Sequence, residues 1–170
     1  MDRRNFITYA SILGGSAALK SCATFTPAIK TGKKGRNAGS RELNADVIII
    51  GGGLGGCAAA LASCRNGLRV IMTEETDWIG GQISQQGVPP DEHQWIETHG
   101  APKSYREYRK RVREYYRQNY PLTEPAKTRQ NLNPGDGSVS RICHEPRVAV
   151  SVLTDMLAPY MSSGKLQILT

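Results

Sequence analysis

Three glycines at fixed spacing and one glutamate downstream are the residues of this sequence that point most clearly to chemistry. Gly51, Gly53 and Gly56 form a G-x-G-x-x-G pattern, and Glu74 follows 23 residues after Gly51. Gly51 would permit a tight turn, Gly53 would let a pyrophosphate approach the backbone, and Gly56 would let a helix pack closely on a sheet. The Glu74 carboxylate would accept hydrogen bonds from ribose hydroxyls and would disfavour a 2′-phosphate. The pattern therefore predicts a dinucleotide site.

The sequence around these residues predicts the elements that would position them. A continuous β-branched run over residues 46–50 is typical of a fully buried parallel strand. Small residues over 57–66 predict a helix that ends at an Asn-Gly pair, and residues 68–73 predict the next strand. An amphipathic helix that begins at residues 146–147 and is ended by Ser163–Gly164 would follow, and then a strand over 166–169. We therefore expect an α/β fold, a Rossmann-like βαβ unit in which helices flank a parallel sheet.

Beyond the glycine pattern, the sequence from Asp46 to Gln82 resembles the FAD-dependent oxidoreductases of the two-dinucleotide-binding-domain type. A strand-end glutamate followed within a few residues by a second Gly-Gly pair, here Gly80–Gly81, is typical of these flavoproteins. The resemblance implies FAD as the cofactor, with the second pair letting a loop pass close to the flavin side of the pyrophosphate. It implies FAD contacts at Gly51, Gly53, Leu54, Gly56, Glu74, Glu75, Gly80, Gly81 and Gln82.

The resemblance also implies an activity and raises the question of a catalytic residue. Such enzymes oxidise small organic substrates by hydride transfer to flavin and pass the electrons to an acceptor, which is unknown here. A histidine beside the flavin can act as an acid or a base. His144, between Arg141 and Arg147, is our candidate for a flavin or substrate contact, and His93 and His99 are expected in loops. The cysteines and histidines show no zinc-ligand spacing, so no metal site is predicted.

The resemblance covers residues 45–170 and corresponds to the opening third of such a protein. We therefore expect a truncated FAD-binding domain, an N-terminal fragment that is inactive without its substrate region. Residues 103–120 would form a helical insertion with tyrosines on one face and solvated basic side chains on the other. Cys57 and Cys64 lie seven residues apart on the first predicted helix and are expected to be small buried thiols.

Two alternatives stay open on the sequence alone. The first is an NAD-binding dehydrogenase, because the glycine pattern is shared by both kinds of dinucleotide site. The second is a non-catalytic module that binds a membrane surface through the basic helix of residues 103–120.

The N-terminal segment carries most of the formal net charge of +7, since residues 1–44 hold eight basic and two acidic residues. Residues 3–7 (RRNFI) resemble the twin-arginine export motif, and a charged start followed by a short apolar stretch is typical of a secretory signal. Residues 1–23 are therefore predicted as an export signal. Residues 24–44, rich in Gly, Lys and Ser, are predicted as a flexible linker.

Two fates of this signal are compatible with the sequence. Cys22 would be lipidated and would tether the protein to the membrane, or cleavage would occur near Ala23 without a lipid. The protein would then be periplasmic or anchored on the outer side of the inner membrane. An exported oxidoreductase has no need of a nucleic-acid face, so we expect a small-molecule substrate and no nucleic-acid partner.

Overall fold

The structure is a computed structural model and describes residues 42–170. The predicted export signal, Cys22 and all but the last three residues of the predicted linker lie outside the described residues. The described elements are strands β1 (Val47–Ile50), β2 (Val70–Thr73) and β3 (Leu166–Leu169), helices α1 (Leu54–Arg65), α2 (Lys103–Asn119), α3 (Glu124–Thr128) and α4 (Pro146–Ser162), and a 3₁₀ turn (Gly81–Ile83).

Within residues 42–170 the strands form one parallel sheet in the order β1–β2–β3. Val47 of β1 lies opposite Val70 of β2, and Val70 lies opposite Leu166 of β3. Parallel neighbours need a crossover connection. Helix α1 provides it between β1 and β2, and the segment that ends in α4 provides it between β2 and β3. The expected α/β fold, a Rossmann-like βαβ unit with flanking helices, is confirmed.

The hydrophobic core lies between the sheet and the helices. Helices α1 and α4 contact the strands and each other, and α2 packs on α4. Met72 of β2 and Val148 of α4 are completely buried at the centre of this core. Cys57 and Cys64 of α1 are buried free thiols, as the helix pattern predicted.

Strand β1 differs from its prediction in burial. Ile48 and Ile50 are 64% and 81% exposed, whereas Val47 and Ile49 pack against the core. Side chains alternate between the two faces of a strand, and within the described residues helices cover only the face that Val47 and Ile49 occupy. The expectation of a fully buried first strand is therefore wrong for this part of the chain.

Helix α2 is present where a helix was predicted, but its charges are arranged differently. Arg109 and Arg113 lie on the inner side with only 3% and 8% exposure, among buried tyrosines. Their guanidinium groups are paired there with two glutamates, Glu92 and Glu97, from the preceding loop. The prediction that the basic side chains share one solvated face is wrong for these two arginines, because acidic partners make their burial tolerable.

Candidate dinucleotide-binding site

The structure brings the glycine loop after β1 (Gly51–Gly53) into contact with the Gly80–Gly81 pair after β2, at the carboxyl edge of the sheet. The backbone N–H of Gly80 donates to the carbonyl of Gly52 at 2.8 Å, and Gly53 and Gly80 form a short parallel bridge. A Cβ on Gly81 would lie 3.2 Å from the Cα of Gly53. The loop after β1 and the loop after β2 therefore form one continuous glycine-lined surface.

The geometry at three glycines explains why this loop needs them. Gly51 has φ of +94°, a conformation that L side chains rarely adopt. A Cβ at Gly56 would collide with the carbonyl oxygen of Gly51, so α1 approaches the turn this closely only because Gly56 has none. A Cβ at Gly53 would meet no protein atom within 4 Å. The space outside Gly53 is thus open to a ligand.

Helix α1 points a row of hydrogen-bond donors into the same region. The first N–H groups of a helix have no partner within the helix, and no side chain caps the N-terminus of α1. The helix dipole adds partial positive charge there, which favours a phosphate group. An open space above Gly53 and uncapped donors beside it fit a pyrophosphate.

Glu74, directly after β2, reaches back to the glycine loop. Its Oε2 accepts a hydrogen bond from the Gly52 N–H at 3.0 Å, and its Oε1 accepts from the N–H and the hydroxyl of Thr76 at 3.0 and 2.9 Å. Partial burial acts to raise the pKa of Glu74, but the hydrogen bonds from Thr76 and Gly52 outweigh it, and the pKa lies below its usual value. Glu74 is therefore an ionised acceptor at neutral pH, placed beside the loop.

Two threonines support this arrangement, and the sequence reasoning missed both. Thr73, the last residue of β2, accepts a hydrogen bond from the N–H of Gly51 on its Oγ1 at 3.2 Å. Thr76 holds Glu74 as described above. The available signal was a hydroxyl residue immediately before the strand-end glutamate and another two positions after it, where short polar side chains commonly bond to nearby backbone groups.

The other residues predicted to contact FAD take varied positions. Leu54 is half-buried in the first turn of α1 and lines an apolar cavity of about 320 Å³ together with Cys57 and residues of α2 and α4. Glu75 is exposed. The side-chain amide of Gln82 donates to the carbonyl of Pro89 at 3.4 Å, so it ties down its own loop. Their FAD contacts stay predictions.

His144, the candidate catalytic residue, lies just before α4 and shares a hydrogen bond of 2.8 Å between its Nε2 and the hydroxyl of Tyr108. Its Nδ1 is buried and has no hydrogen-bond partner among the described residues. Burial lowers the pKa of His144 below its usual value, so the imidazole is neutral at neutral pH. His93 and His99 are exposed loop residues beside Trp95.

The remaining basic residues of α2 are largely engaged within the protein. Arg111 pairs with Glu107 at 2.7 Å and Lys110 with Glu114 at 3.6 Å, one turn apart in each case. The guanidinium of Arg117 donates to backbone carbonyls at the end of α3, including that of Lys127. Much of the charge that motivated a membrane-surface module is therefore compensated by groups of the same chain.

Residues 42–170 hold neither a metal cluster nor a membrane-spanning helix. No three side chains of His, Cys, Asp or Glu come together there as metal ligands. None of the helices in this part of the chain combines the length and the apolar composition that a membrane crossing needs.

A parallel sheet with a glycine loop, an uncapped helix start and a strand-end carboxylate defines a dinucleotide-binding α/β protein. A family model described as FAD dependent oxidoreductase matches residues 46–170. The chain belongs to this FAD-dependent oxidoreductase family, and its cofactor is FAD rather than the NAD of the alternative. Comparisons with curated proteins and with solved structures found no match.

Proposed function

We propose that this protein is an exported enzyme that oxidises a small organic substrate, with FAD held at the paired glycine loops. The observation that carries the proposal is the meeting of Gly51–Gly53 with Gly80–Gly81 beside the ionised Glu74. Hydride acceptance would be supplied by the isoalloxazine of bound FAD. The protein's own task is to bind and orient that group.

The residues of the site divide this task by their chemistry. The N–H groups at the start of α1 would donate to the pyrophosphate, and the bare backbone of Gly53 would let it come close. Glu74 would accept from the hydroxyls of the adenosine ribose, and its negative charge would repel a 2′-phosphate. Gly80 and Gly81, with φ of +111° and +59°, would let the second loop follow the cofactor.

His144 is proposed as the group that contacts flavin or substrate and moves a proton. Its pKa lies below the usual value, so a neutral imidazole is available at neutral pH to accept a proton. The hydrogen bond to Tyr108 orients the ring through Nε2. Tyr108 itself stays protonated, because burial raises its pKa far above the neutral range.

Export is proposed from the twin-arginine-like start of the chain, because that route carries proteins already folded around a cofactor. Replacing both Arg3 and Arg4 with lysine should leave the protein in the cytoplasm, whereas the natural chain should be found outside the inner membrane. Cell fractionation measures the difference. Retention of export by the double-lysine variant would contradict a twin-arginine route.

The FAD site is tested by Gly53→Asp in the complete chain. The Cβ at this position meets open space, so the fold should survive while a carboxylate opposes the pyrophosphate. FAD fluorescence quenching should show at least about a tenfold loss of affinity. A tenfold loss corresponds to about 1.4 kcal/mol, and placing a like charge against the pyrophosphate should cost at least that much. Gly55→Ala, whose Cβ also meets open space, is the matched control and should bind normally. Equal FAD binding by all three proteins would refute the proposed site.

A further inference from the structure

Thr76 is the one side chain of the described residues that bonds to the Glu74 carboxylate. Its backbone N–H and its hydroxyl both lie within hydrogen-bond distance of Oε1, at 3.0 and 2.9 Å. The same hydroxyl oxygen lies 3.0 Å from the carbonyl of Trp78, but it has one proton to give. A carboxylate is the stronger acceptor, because a hydrogen bond to an ionised group is about twice as strong as one between neutral groups.

The backbone of Trp78 also donates to the Thr76 hydroxyl. Its N–H donates to Oγ1 of Thr76 at 3.3 Å and so occupies a lone pair of the hydroxyl. This bond uses no hydroxyl proton, so the proton is free to go to the ionised Oε1, the stronger of its two acceptors. Thr76 thus receives one hydrogen bond from the following loop and passes one to the carboxylate.

The two oxygens of the Glu74 carboxylate differ in the hydrogen bonds that they accept. An ionised carboxylate has about four lone-pair sites, two on each oxygen. Thr76 fills both sites of Oε1, and the N–H of Gly52 fills one site of Oε2 at 3.0 Å. By these distances Oε2 accepts fewer hydrogen bonds than Oε1, and the backbone of Glu75 also acts on the carboxylate and helps to lower its pKa. Oε2 is the oxygen bound to the glycine loop at which the proposed function places FAD.

We propose that Thr76 is a positioning residue that saturates Oε1 of Glu74 and so presents Oε2 to a ribose hydroxyl of FAD. The inference rests on the proposed FAD site and adds an atomic assignment and a residue to it. Without the hydroxyl of Thr76, the carboxylate keeps the bonds from the N–H groups of Thr76 and Gly52 but loses one donor on Oε1, so it is held less firmly and ordering it opposes binding. Thr76 acts through Glu74 and does not touch the cofactor.

The test compares two ligands on variants of the complete chain. ADP carries the ribose hydroxyls of the FAD adenosine, and 2′,3′-dideoxy-ADP lacks them. Thr76→Val should raise the Kd for ADP about tenfold, the size expected for a lost hydrogen bond to a charged group. Thr76→Ser, which keeps the hydroxyl, should bind ADP within about twofold of the natural chain. Neither substitution should change the Kd for the dideoxy ligand.

Controls separate this role from a structural one. Thr128→Val removes a threonine hydroxyl that bonds only within α3, and it should bind both ligands normally. Thr76→Ala repeats the experiment if the valine variant does not fold, as judged by its melting curve. Equal weakening of both nucleotides by loss of the hydroxyl would overturn the positioning role, and so would no weakening of either. If the natural chain binds neither ADP nor FAD, the proposed FAD site itself is refuted, and the role of Thr76 with it.

Discussion

Glu97 is predicted to make the stability of this protein depend on pH in the acid range. Its carboxylate is held by two guanidinium groups at once. Arg109 donates to it at 2.8 and 2.9 Å, and Arg113 at 2.6 and 3.2 Å. Glu97→Gln is the informative substitution, because an amide keeps nearly the shape of the acid while it removes the charge and replaces one acceptor oxygen by an NH2 donor.

The size of the effect follows from the surroundings of the carboxylate. Burial acts to raise the pKa of Glu97, but hydrogen bonds from Arg109 and Arg113 outweigh it and lower the pKa from 4.5 to about 2. Each unit of pKa corresponds to about 1.4 kcal/mol. Because the side chain retains 19% exposure, solvent screening reduces the total, and we expect about 2 kcal/mol. That is slightly below the loss of about 3–5 kcal/mol typical of breaking a fully buried pair.

The sign of the pH dependence follows from a pKa that folding lowers. The unfolded chain takes up the proton near pH 4.5 and the folded protein only near pH 2. The stabilisation is therefore complete above the unfolded pKa and is lost as the pH falls through the interval between the two values. Urea unfolding at a series of pH values should show the natural chain more stable than Glu97→Gln by about 2 kcal/mol near neutral pH. The difference should shrink towards zero near pH 2.

A matched substitution on α2 isolates the contribution of burial. Glu107 pairs with Arg111 at the surface, where both side chains are about 40% exposed. Glu107→Gln should change the free energy of unfolding by less than about 0.5 kcal/mol. The reasoning would be refuted if the difference in the free energy of unfolding between the natural chain and Glu97→Gln stayed constant from neutral pH to about pH 3. The charge of Glu97 would then contribute nothing to stability, because protonation of the unfolded chain below pH 4.5 should already reduce that difference.

Three further outcomes are expected. Gly56→Ala should abolish FAD binding and cost about 1–3 kcal/mol, measured by FAD titration and urea unfolding, because its Cβ would collide with Gly51. Gly55→Ala should instead keep FAD binding and stabilise α1 by up to about 1 kcal/mol. Burial and the nearby Glu74 raise the pKa of Cys57 to about 12, so iodoacetamide at about pH 8 should leave it unmodified in the folded protein and label it in urea, as mass spectrometry would show. Rapid labelling of folded Cys57 would contradict its burial.

The glycine loop is the part of the site that could be predicted from sequence. The positive φ of Gly51 and the close approach at Gly56 are backbone requirements, so they leave a mark at fixed positions along the chain. The residue at the end of β2 was predictable for the same reason, because a strand of known length places its last residue at the sheet edge. Strand and helix boundaries were predicted within a few residues, and α4 ends at Ser162, directly before the Ser163–Gly164 pair expected to end it.

The partners of buried polar groups could not be predicted in this way. Arg109 and Arg113 occupy helical positions that the sequence assigned to a solvated face, and only the loop carrying Glu92 and Glu97 makes their burial stable. The hydroxyl of Tyr108 meets His144 across 36 positions of sequence. Such pairs leave no local pattern, because each depends on where a distant segment is placed.

The sequence by itself determined the class of fold, the glycine turn and the acidic strand end, since each of these depends on the conformation of a few consecutive residues. Only the tertiary structure decided that the second glycine pair touches the first, that Oε1 of Glu74 is saturated by Thr76, and that Ile48 and Ile50 face outward. Those outcomes depend on which elements cover which face. Side-chain burial and hydrogen-bond partners are properties of the assembled layers.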